Sequence, residues 1–186
     1  SGAGKEGIDE LDAQVREHSE GREMTANILP SASAEKHYPI AFNLIPQIDV
    51  FCDNLYTKEE MKMVNETKKI MEDYEMRITA TTIRVPVYRS HSESVNIELE
   101  KEVDLGAMRE ALAKFPGVTV QDDPSKQEYP MPLYTSEKDD VYVGRLRRDE
   151  SCEKSYNMWV VGDQIRKGAA LNTLQIAETM IKNGWI

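Results

Sequence analysis

Apolar residues along this chain follow two rhythms, and the switches between them mark out the elements. Ile8, Leu11 and Val15 recur on one helical face and the pattern fades at Glu20-Gly21, which predicts a first helix. A polar connection passes through Ser31-Ala32-Ser33-Ala34, and 39–46 then reads as an extended, edge-like segment with prolines near each end. Thr57 with Glu60 three residues on forms a capping box, opening a helix expected to reach Tyr74. One side of that helix carries Met61, Met63, Val64, Ile70 and Met71. Strands are predicted over 76–87 and 92–103, a helix over 105–115 ended by Pro116-Gly117, and a short strand over 118–120. After a loop over 124–140 come two strands, 141–147 and 156–161, joined as a hairpin, and a last helix over 169–182. Strands joined both by helices and by hairpins predict an α+β fold with a mixed, mostly antiparallel sheet and helices packed on one face. A single domain over 1–186 is expected.

Composition narrows the class. The chain has 186 residues, 40% apolar and 30% charged, with a net charge of −10. That length suits one core of ordinary to large size, and the apolar share excludes a disordered chain. A strongly acidic balance argues against binding nucleic acid, whose phosphates need a basic surface. Cys52 and Cys152 are too far apart in sequence for a zinc cluster or a disulfide framework, neither shows a local sign of thiolate activation, and no metal is expected. No apolar run approaches a membrane span and the first residues do not resemble a secretory signal, so a soluble cytoplasmic protein is expected. Gly2, Gly4 and Gly7 formally spell the dinucleotide fingerprint, but no strand precedes them, and as a Rossmann site the motif lacks its context.

Three places carry candidate chemistry. Glu59 and Lys62 lie one turn apart on the capped helix. They are either an exposed ion pair or a carboxylate that receives an ammonium group beside a lysine that receives an anion. Arg84 shares strand parity with Met76, Ile78 and Ala80, and a guanidinium on an apolar face requires a partner. That partner is either an internal carboxylate or a substrate carboxylate gripped by the planar fork. Pro86 suggests that the strand bends just beyond. His91 shares parity with Val95, Ile97 and Leu99, so it is expected on the inward face of its strand, either as a satisfied core residue or as a proton carrier. Ser90 and Ser92 are expected on the opposite face.

The run Arg84-Val85-Pro86-Val87-Tyr88-Arg89-Ser90-His91-Ser92-Glu93-Ser94-Val95, preceded by Glu59-Glu60-Met61-Lys62 and followed by Gly168-Ala169-Ala170-Leu171-Asn172, resembles the bacterial aspartate-semialdehyde dehydrogenases, particularly the branch common in Gram-positive bacteria. The likeness runs from Ser1-Gly2-Ala3-Gly4 to the last helix and covers only the C-terminal catalytic and dimerisation half of those enzymes, on the glyceraldehyde-3-phosphate-dehydrogenase-like fold. The resemblance implies an NADP-dependent oxidoreductase of lysine, threonine and methionine biosynthesis that interconverts L-aspartyl phosphate and L-aspartate 4-semialdehyde through a cysteine thioester. It implies that His91 is the general acid/base, that Arg84 grips the substrate α-carboxylate, that Glu59 receives the α-amino group and that Lys62 contacts phosphate. It implies cofactor contacts at Ser1, Gly2 and Asn172, and a homodimer formed through the sheet face. The family's nucleophile sits in an N-C-[ST] motif that this chain lacks, and the N-terminal Rossmann domain is missing, so the chain alone is expected to be inactive. Two other readings stand beside this one: a non-catalytic dimerisation module, and a related acyl-phosphate or acyl-CoA reductase. Glu59 argues against those reductases whose substrates lack a free amino group.

Overall fold

A computed structural model describes residues 2–186, and the chain divides into two compact units, Ser1–Tyr88 and Arg89–Ile186. In the first unit, helix α1 (Gly4–Ser19) begins within the glycine run. Its buried line is Gly7, Leu11 and Gln14, while Ile8 and Val15 stay exposed, so the helix is rotated from the face its apolar residues suggest. The reason is Gln14, 0% exposed, whose amide donates to the Thr25 carbonyl at 2.8 Å and accepts from the Ile40 and Ala41 N–H groups at 2.9 and 3.0 Å. An amide that satisfies three backbone groups, two of them buried, is held inward more firmly than an exposed valine. Leu11, Leu29, Ile40, Ala41 and Ile45 form the core around it. The segment 39–46 is accordingly not a strand. Two of its N–H groups face a side chain, and only Ile45 bridges a neighbour, Arg84.

Helix α2 (Lys58–Met71) has the predicted capping box and stops at Glu72, in the left-handed region at φ 53°. Its methionine-rich side stays largely open, with Ile70 77% exposed, and the buried residue of the helix is Glu60. The Glu60 carboxylate accepts from the Thr57 N–H and from the Thr82 N–H, both at 2.8 Å. That second bond explains a departure from expectation. Residues 76–84 alternate between half-buried and exposed as a strand would, yet only Arg84 enters a ladder, because the Thr82 N–H is bonded to a carboxylate.

The second unit is a mixed α+β arrangement around a four-stranded sheet of order β1-β4-β3-β2, with β1 (His91–Glu98), β2 (Val118–Val120), β3 (Val141–Arg148) and β4 (Ser155–Gly162). β1 and β3 are antiparallel to β4, and β2 is parallel to β3. Helix α3 (Leu105–Lys114), capped by the Asp104 carboxylate, lays Met108 against Leu146 and Tyr156. The Tyr156 hydroxyl donates to the Val103 carbonyl and accepts from its N–H, each at 2.7 Å. This engages both Val103 backbone groups, so the strand predicted to reach 103 ends at Glu98. A bulge at Arg145 and Leu146 lets Leu146 enter that core. Arg109 donates to the Leu146 carbonyl at 3.1 Å and Asp122 accepts from its N–H at 3.3 Å. On the other side of the sheet, the Trp159 indole donates to the Pro130 carbonyl at 3.0 Å, next to the short helix α4 (Pro132–Thr135). Gly144 has no alternative there, since a Cβ would fall 2.2 Å from the Gln121 carbonyl oxygen. The last helix, α5 (Leu171–Lys182), follows a π-helical turn at Arg166–Ala170. Among the described residues no helix is long and apolar enough to cross a membrane.

Candidate active site

In the first unit the capping box places Glu59 in the first turn of α2, where the helix dipole favours a carboxylate. Lys62 Nζ lies 3.7 Å from Glu59 Oε1, both side chains remaining partly exposed. Such a pair contributes little to stability, which leaves both groups available to a ligand. Arg84 is half-buried, its backbone fixed by paired bonds to Ile45 at 2.8 and 3.1 Å. Burial pushes its pKa down, and the Glu59 charge opposes that shift. Glu59 thus acts on both cations. The structure gathers the three predicted residues Glu59, Lys62 and Arg84 into one mixed-charge group on the first unit.

In the second unit His91 opens β1, opposite Gly162. It is exposed, not turned into the core as its parity suggested. The parity itself holds, because Val95 and Ile97 lie on the same side, but α3 covers that side only around Ile97, Leu146 and Tyr156. Six residues of strand, about 20 Å, separate Ile97 from His91. Ser92, by contrast, pairs with fully buried Val161 and is half-buried.

Immediately before His91 lies a polar cluster that periodicity did not reveal. Ser90 is buried at φ 73°, Asp163 is 0% exposed, and the Ser90 N–H donates to Gln164 Oε1 at 2.8 Å. Burial pushes the Asp163 pKa up, but N–H bonds from Arg166, Glu137 and Ile165 together with Arg89 outweigh this and hold it below the usual carboxylate range. Asn172 is half-buried in the first turn of α5. Gly2 is exposed at φ 77°, and Ser1 lies outside the described residues. Cys52 is half-buried and Cys152 exposed in the turn between β3 and β4, its thiol toward the Glu153 carbonyl at 3.7 Å.

Residues 1–167 match the family described as semialdehyde dehydrogenase, dimerisation domain. The chain belongs to that family. Among semialdehyde dehydrogenases, the aspartate-semialdehyde dehydrogenases of Aquifex aeolicus and Bacillus subtilis are each 48% identical to it, over 100% and 98% of the chain respectively and 53% of each relative. The chain therefore spans about half the length of the curated relatives it matches. The crystal structure of aspartate semialdehyde dehydrogenase II from Vibrio cholerae is 42% identical and superposes with a TM-score of 0.88 over 98% of this chain and 52% of its own. A distant semialdehyde dehydrogenase, from Candida albicans and solved with NADP, shares 20% identity at a TM-score of 0.64 over 97% of this chain and 65% of its own, a likeness of fold.

Proposed function

We propose that this chain is the C-terminal catalytic and dimerisation half of an NADP-dependent aspartate-semialdehyde dehydrogenase, interconverting L-aspartyl phosphate and L-aspartate 4-semialdehyde in lysine, threonine and methionine biosynthesis in the cytoplasm. The observation that carries this reading is the Glu59–Lys62–Arg84 group. A substrate with an α-amino group, an α-carboxylate and an adjacent phosphate needs one anion and two cations held apart on a rigid frame. Arg84, fixed by its backbone and half-buried, offers the fork for the carboxylate. Glu59 receives the ammonium group, and Lys62, at 3.7 Å from it, takes the phosphate.

His91 moves the proton of the cysteine nucleophile, which in this reading belongs to the part of the enzyme outside this chain. Gly2, whose positive φ and missing side chain leave its backbone open to close approach, and Asn172, whose amide both donates and accepts, fit the cofactor's polar edges, and Ser1 is assigned beside them. NADP, when bound, exchanges a hydride with the substrate carbon. The family's description as a dimerisation domain supports a homodimer, which we assign to the sheet face.

The test is substrate discrimination by the complete enzyme. Aspartate semialdehyde should be oxidised with a kcat/KM on the order of 10²-fold or more above that of succinic semialdehyde, which lacks the amino group, and Glu59→Gln should narrow the gap. Equal rates for the two aldehydes would contradict the assignment.

A further inference from the structure

The buried cluster beside His91 has no part in the roles above, and its geometry is unusual. Rung His91 to Gly162 is the last of the β1–β4 ladder. Beyond it the two chains are still joined, but by side chains. Arg89 Nε lies 2.6 Å from Asp163 Oδ2, and the Ser90 N–H donates to Gln164 Oε1 at 2.8 Å. The two residues before His91 are thereby fastened to the two residues after its partner.

Ser90 takes φ 73°, a left-handed conformation that is strained for a non-glycine residue and persists only where the surroundings over-determine it. They do so here. Its hydroxyl lies 3.2 Å from Ser136 Oγ and 3.3 Å from Thr135 Oγ1. Asp163 uses both oxygens, accepting from Glu137 N–H at 2.7 Å and from Ile165 and Arg166 N–H at 2.9 Å each. Arg89 NH1 also reaches Glu137 Oε1 at 3.3 Å. A buried ion pair is weak evidence for stability, and its better-attested use is to select one geometry. The geometry selected here is the direction in which β1 starts, hence where the His91 imidazole is presented.

We propose that Asp163 and Gln164 are positioning residues for His91, acting through Arg89 and the left-handed Ser90; the proposal rests on His91 being the acid/base. Removing Asp163 would strand Arg89 and three backbone N–H groups, so half-buried Gln164 is the better probe. In the complete enzyme, Gln164→Leu deletes the acceptor of the Ser90 N–H and Gln164→Glu keeps one.

Gln164→Leu should lower kcat on the order of 10²-fold, the effect of a misplacement of about 1 Å, with KM for the semialdehyde unchanged and the melting temperature close to that of the parent. Gln164→Glu should recover most of kcat. An unchanged kcat in Gln164→Leu, no recovery in Gln164→Glu, or a loss accompanied by a proportional rise in KM or a collapse in melting temperature would each overturn the positioning role. His91→Asn runs alongside. If it keeps full kcat, the acid/base reading falls and the positioning role with it; if it loses kcat while Gln164→Leu does not, only the positioning role falls.

Discussion

Arg84 offers the sharpest test at the scale of single residues, because its surroundings separate charge from shape. It is half-buried beside Glu59 with its backbone fixed to Ile45. A lysine there keeps the charge but not the planar fork, so Arg84→Lys in the complete enzyme should lower kcat/KM for aspartate semialdehyde by about 10–100-fold, the worth of one charge-assisted hydrogen bond. Steady-state kinetics read this directly, and near-parental kcat/KM would remove the clamp role. For His91→Asn the proposed acid/base role predicts a loss of 10²–10⁴-fold in kcat. As candidates these residues stood out in the sequence because each is a chemically loaded type in a motif. Gln14 and Asp163 did not: both are fully buried polar groups whose partners lie far along the chain, at Thr25, Ile40 and Ala41 for the one and at Glu137 and Arg89 for the other. Hydropathy patterns treat such residues as solvent-facing.

Elements whose partners are near in sequence were the readable ones. The β3–β4 hairpin, α3 and β2 fall within a residue or two of their expected bounds, and the capping box of α2 is present as spelled. The extended stretches of the first unit misled, because alternation describes exposure and not pairing. Residues 76–84 alternate without a ladder, their Thr82 N–H held by Glu60. Glu60 therefore joins the start of α2 to the segment that carries Arg84. Burial pushes its pKa up, and N–H bonds from Thr57 and Thr82 outweigh this, leaving it lowered. Folding thus favours the ionised form. Its stabilising contribution is complete above the unfolded value of about 4.3 and is lost as pH falls through the lower folded value. Melting curves of the parent and Glu60→Gln should converge as pH falls below about 4, and a constant gap down to pH 2 would contradict the assignment. Thr57→Ala should cost about 1 kcal/mol by losing the cap, measurable by chemical denaturation.

At the scale of the whole molecule, a net charge of −10 on this chain disfavours long-range attraction of the anionic ligands proposed above, NADP and aspartyl phosphate among them. In that reading local cations supply the affinity, and Lys62 and Arg84 are the ones proposed. The proposed function divides the labour: the acid/base and the substrate clamps are assigned to this chain, and the nucleophile and most of the cofactor site to the rest of the enzyme. The direct measurement is NADP reduction with aspartate semialdehyde and phosphate, run in parallel on this chain alone and on the complete enzyme. Rapid reduction by the complete enzyme and none by the chain alone is the expected result. Reduction by the chain alone, or a complete enzyme that leaves the semialdehyde untouched, would contradict it.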